Sequence, residues 1–105
     1  MKRYLAYNNH YVFKFNKPGI YAIEIEKETP KMFYYKGRRH PRCYNGSSND
    51  FYSLHSTKAE AIISLSDYAN NEKDDLQRHI KRKQKEIVKW NELIDKLKLM
   101  PEQSA

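Results

Sequence analysis

Cysteine occurs once in this chain, at Cys43, so no internal disulfide can form. Secreted domains of this size usually carry paired cysteines that supplement a small core, and a lone thiol therefore points to a cytoplasmic protein. Long apolar runs are missing too. Nothing approaches the roughly 18 to 20 consecutive apolar residues that span a bilayer, and Met1 to Tyr7 lead into no signal-peptide stretch. Internal repeats and low-complexity linkers are absent, which leaves one domain for 105 residues and 12.6 kDa. Metal ligands are sparse: His40, Cys43 and His55 form the nearest grouping, without the short-spaced ligand pairs of a zinc site. The same residues lack the orienting group and oxyanion donors that a Cys43 nucleophile needs. No catalytic residue, no metal and no cofactor is expected.

Acid is scarce in the first half. Residues 1–55 hold ten Lys or Arg against Glu24, Glu26, Glu28 and Asp50, a balance of +6, whereas residues 56–105 balance at +1. Nine Tyr, four Phe and one Trp exclude a disordered chain and lie mostly in the basic half. Within it, Tyr34 to Tyr44 contain no acid. Arginine grips phosphate oxygens bidentately and exposed tyrosine stacks on unpaired bases, so Tyr35, Lys36, Arg38, Arg39 and Arg42 are the candidate contacts for nucleic acid or an acidic protein surface.

Periodicity changes along the chain. Tyr11, Phe13 and Phe15 alternate with polar neighbours as in a strand, Lys17-Pro18-Gly19-Ile20 has type II turn chemistry, and Tyr21, Ile23 and Ile25 alternate again. A hairpin is expected there. Met32 to Lys36 continue as a third strand ended by Gly37. A short pair, Arg42 to Tyr44 and Phe51 to Leu54, follows around Asn45-Gly46-Ser47-Ser48-Asn49, with Lys2 to Tyr7 as an added edge strand. From residue 56 the period becomes helical. Thr57-Lys58-Ala59-Glu60 has the form of a capping box, and Ala59, Ile62, Ile63, Leu65 and Ala69 should pack on the sheet. Asn70-Asn71 leaves open whether residues 58–99 form one helix or two. The expected fold is α+β: a small antiparallel β-sheet, read as a meander, over 1–55, and a long helix or helical hairpin over 56–100, with a polar tail, 101–105.

Leu76, Ile80, Lys83, Ile87, Trp90, Ile94 and Leu97 step by alternating fours and threes, a coiled-coil heptad seam. Leu76, Ile80, Ile87, Trp90, Ile94 and Leu97 therefore serve helix docking within the chain or a homodimer between chains. Lys83 costs stability on that seam but can set register. Arg78, Lys81, Arg82, Lys83, Lys85 and Lys89 wind about the same helix, as on a solvated surface.

Gly19-Ile20-Tyr21 and Tyr35-Lys36-Gly37 together resemble the paired signature of the GIY-YIG nucleases. That resemblance implies metal-dependent DNA cleavage by Tyr21 with an arginine, for which Arg38, Arg39 or Arg42 could stand. The chain departs from the pattern in Lys36, in the long spacing between the triplets and in Pro41 where a helix should start, and the family is not assigned. The leading expectation is a basic binding protein that is not an enzyme and engages nucleic acid or a nucleic-acid-handling complex. A protein-binding module or inhibitor, such as a virus-like accessory factor, is the alternative, and a metal nuclease stands third.

Overall fold

A computed structural model describes residues 1–8, 12–46 and 50–102. The order is β1 (Lys2–Tyr7), β2 (Gly19–Glu24), β3 (Lys27–Glu28), β4 (Met32–Tyr35), β5 (Arg38–Pro41), β6 (Cys43–Asn45), β7 (Phe51–His55) and α1 (Lys58–Leu99). This is the expected α+β class, antiparallel sheets followed by one long helix. The chain divides into two units, Met1–Ala69 and Asn70–Ala105.

The first unit holds two sheets. One has the order β2-β1-β7-β6; the other, β3-β4-β5, is a meander. Lys2 to Tyr7 is therefore no edge strand: β1 lies between β2 and β7, with Leu5 opposite both Tyr21 and Leu54. Its residues Leu5, Ala6 and Tyr7 are all fully buried, because this end of the strand is covered on both faces. Leu5 and Tyr7 point into the core with Ile23, Ile25, Phe33, Tyr52, Leu54 and Phe13. On the opposite face, the β7 residues Phe51 and Ser53 meet the first turns of α1. Phe51 stacks on Tyr68 with centroids 4.3 Å apart, and the Ser53 and Ser64 hydroxyls are 2.9 Å apart.

Small residues decide which helical face docks. Ala61 is fully buried, and Ser64, Leu65 and Tyr68 continue its face at the 3.6-residue period. Of the expected face, Ala59, Ile62, Ile63, Leu65 and Ala69, only Leu65 lies on this side; the other four are exposed, Ile63 at 61%. Ser53 and its hydrogen bond favour the close approach of Ala61 and Ser64 over a bulky isoleucine ridge. Thr57 caps the helix as expected, its Oγ1 accepting from the Glu60 N–H at 3.2 Å. Asn70-Asn71 does not break it; one helix runs through.

The expected hairpin of residues 11–15 with 21–25 is replaced by β1 pairing with β2. Tyr11 and the loop residues 47–49 lie outside the described residues. Residues 12–18 form no strand; Gly19 opens β2 with φ 157°, far from the type II turn value. Aromatic packing displaces the ladder here. The Phe13 ring sits edge-on to Tyr7 and Tyr52, at 5.2 and 5.0 Å, and the Val12 N–H donates to the Tyr7 hydroxyl oxygen at 2.9 Å. Such ring pairs add about 1 kcal/mol each beyond burial.

Gly37 does more than end a strand. Lys36 and Gly37 have φ of 48° and 74°, both positive as a two-residue type I′ turn requires, and Tyr35 pairs with Arg38 across it. A charged triad joins the two sheets. The Glu28 carboxylate in β3 accepts from Arg3 of β1 at 2.6 Å and from Arg42 at 3.1 Å. The Arg3 hydrogen bond, followed by the charges of both guanidiniums, holds the Glu28 carboxyl below the usual range.

Candidate functional site

The turn that reverses β4 into β5 brings Tyr35, Lys36 and Arg38 against the irregular segment 12–15. Between them lies an open groove of about 450 Å³ lined by Val12, Phe13, Lys14, Phe15, Tyr35, Lys36, Arg38 and His40. None of these lining residues is acidic.

Its floor is aromatic. Phe13 lies 6.2 Å from Tyr35 and 5.0 Å from His40, ring centre to ring centre. Phe15 stacks on Tyr21 at 3.9 Å, nearly parallel, and the Tyr21 hydroxyl donates to the Lys17 carbonyl, which pins the segment's far end to β2. Its rim carries Lys14, Lys36 and Arg38, and the Glu26 carboxylate accepts from the Gly37 N–H of the turn at 2.8 Å. Lys36 Nζ sits 5.3 Å from the Tyr35 ring centre. Lys14 has a left-handed φ of 58°, a backbone state disfavoured by roughly 1 kcal/mol for a residue with a Cβ. That strain turns an exposed lysine between two phenylalanines whose rings both join the aromatic cluster. Burial, reinforced by the Arg38 charge, pushes the His40 imidazole below its usual pKa, which favours the neutral ring at the groove.

The sequence-derived contacts divide by strand face. Tyr35, Lys36 and Arg38 meet at the groove. Arg39 lies on the other face of the hairpin, opposite Tyr34, which in turn pairs with Lys27, whose Nζ is 5.7 Å from the Tyr34 ring centre. Arg42 is engaged with Glu28 at the sheet junction. Reading residues 11–15 as a strand concealed Phe13, Lys14, Phe15 and His40 as groove residues. The signal was present: residues 1–23 contain no acid, and Lys14 stands between two aromatics.

A second polar cluster lies under α1. Ser53 Oγ is 2.6 Å from His55 Nε2 and 2.9 Å from Ser64 Oγ. Ser53 is buried, and this network ties helix to sheet. Cys43 is exposed on β6, and among the described residues no three His, Cys, Asp or Glu side chains gather closely enough to hold a metal ion. The two triplets of the nuclease-like signature fall in different sheets, Gly19-Ile20-Tyr21 in β2 and Tyr35-Lys36-Gly37 at the end of β4.

In the second unit the heptad residues stand open. Leu76 is 63% and Trp90 64% exposed, and Ile80, Ile87, Ile94 and Leu97 are close to half exposed or more. Among the described residues no helix is long and apolar enough to cross a membrane. No protein family, curated protein or solved structure matches this chain, so its function is read from its own geometry.

Proposed function

We propose that the protein binds single-stranded nucleic acid in the groove between residues 12–15 and the β4–β5 turn, and acts by binding, with no catalytic step. The observation that carries this reading is a groove with an aromatic floor, a cationic rim and no acid in its lining. Lys14, Lys36 and Arg38 supply charge for consecutive phosphates. Phe15 and Tyr35, half buried in the groove lining, are the rings an unpaired base would meet, a contact worth about 1 to 3 kcal/mol per base. An acidic peptide would satisfy the cations but would cover that aromatic floor only with an aromatic or aliphatic side chain of its own.

Fluorescence anisotropy with a short labelled oligonucleotide tests it. Three phosphate contacts give a log–log salt slope of about −2 for a single strand. Lys14→Ala and Arg38→Ala should each weaken binding about fivefold to tenfold and flatten that slope by about 0.7. Absence of salt-sensitive binding at low ionic strength, or indifference to both substitutions, would refute the reading.

The exposed heptad seam favours a second reading, a module that binds or inhibits another protein through its helix. It requires a stoichiometric complex with a different protein that survives nuclease digestion. Loss of every co-purifying protein on digestion contradicts it.

A further inference from the structure

We propose that residues 80–97 of α1 pair with the same segment of a second copy of this chain, as an antiparallel two-stranded coil. This stands independently of the groove.

Four observations specify the occupant. First, in heptad register Ile80, Ile87 and Ile94 fill every a position, and Leu76, Lys83, Trp90 and Leu97 fill d. That gives one apolar seam broken only at Lys83, the pattern of a helix that packs along another helix. Second, these apolar side chains are about half exposed or more. Closing two such stripes on one another removes roughly 1,200 Å² from water, the lower end of a specific interface. Third, the rim of the seam is nearly uncharged. Positions e hold Gln77, Gln84 and Asn91, and positions g hold His79, Glu86 and Leu93, while Arg78, Lys81, Arg82, Lys85 and Lys89 all fall on the outer positions b, c and f. A strongly charged partner would find no complementary rim, and a second copy meets no repulsion there. Fourth, Lys83 discriminates between orientations. In a parallel coil it would face its own copy across an apolar layer, like charge against like. In an antiparallel coil a faces d, so Ile80 meets Leu97 of the partner subunit, Ile87 meets Trp90 of the partner subunit, and Lys83 meets Ile94 of the partner subunit. Lys83 keeps its own Glu86, 3.3 Å away, and apart from the two symmetry-related Lys83–Ile94 layers the layers from residue 80 to 97 are apolar.

Sedimentation equilibrium of the full chain over the micromolar range tests the pairing, with double electron–electron resonance to read the orientation. The reporter is a spin label on Gln77→Cys in a Cys43→Ser background. The expected result is a monomer–dimer equilibrium with labels about 35 Å apart, from 1.5 Å of rise per residue. Ile87→Glu should weaken the dimer about 100-fold, with the helical circular dichroism of the first unit's α1 turns and its sheets retained, and Lys83→Leu should tighten it about tenfold. A monomer throughout that range overturns the proposal. So does a dimer indifferent to Ile87→Glu, which places the contact elsewhere. A label separation under about 20 Å overturns the antiparallel orientation in favour of a parallel one.

Discussion

Phe33 and Trp90 are both large aromatics in regular structure, and they meet opposite fates. Phe33, on β4, is completely buried among Phe13, His40 and Tyr52, whereas Trp90, on α1, is 64% exposed. The first unit gathers its apolar side chains into its own core; the described part of the second leaves a whole stripe in water. Each arrangement follows from its local period. A strand of period two can hide its apolar face within a few neighbouring strands, while a heptad stripe matches only another helix.

The largest effect expected on that contrast comes from deletion of side chains on each side of it. Phe33→Ala should destabilise the first unit by about 4 kcal/mol, as a cavity in a closed core does. Ile87→Ala, measured by denaturant unfolding at concentrations where the chain is monomeric, should change stability by less than about 0.5 kcal/mol. Equal losses would mean that the stripe is buried within its own chain.

A smaller change is expected at the junction of the sheets. Glu28→Gln removes the charge that Arg3 and Arg42 share and should lower the melting temperature by several degrees. Glu28 is held in its charged form by the fold, so its contribution is present above the unfolded carboxyl pKa and is lost as pH falls through the lower folded value. The melting temperature of the wild type should therefore drop steeply at acid pH, and that of Glu28→Gln less so.

The smallest effect is expected from the histidines. Burial pushes both His40 and His55 down, with nearby Arg38 and Arg42 adding to it and Glu60 opposing it at His55. Their stability contribution is full above the unfolded value near 6.5 and is lost as pH falls through the folded values. Between pH 7 and 5 a modest decline should appear in thermal melts, and His40→Gln should reduce it. A flat profile would place the imidazoles in water.

Much of this architecture was legible where one face of an element is buried and the other is not. Tyr21, Ile23 and Ile25 alternate cleanly, and the Thr57 cap marked the helix start to the residue. β1 is central, not an edge, and Leu5-Ala6-Tyr7 carries the mark of that position in its lack of alternation, as in a strand covered on both faces. The docking face of α1 was hidden for a related reason. Hydrophobicity pointed to Ile62 and Ile63, but a sheet face built on Ala6 and Ser53 accepts a helix through alanine and serine. Half of the groove was visible in the acid-free run around Tyr35 to Arg38. Phe13, Lys14 and Phe15 join it because ring packing against Tyr7 and Tyr52 outweighs strand pairing, and only tertiary structure reveals that.

The most direct test of the central claim is heteronuclear NMR of the labelled chain titrated with a short single-stranded oligonucleotide. Amide shifts that move first and furthest at Lys14, Phe15, Tyr35, Lys36 and Arg38 are the expected result, suppressed by added salt. Shifts confined to α1, or to the Lys27, Tyr34 and Arg39 face of the hairpin, or no shifts at low ionic strength, would contradict it.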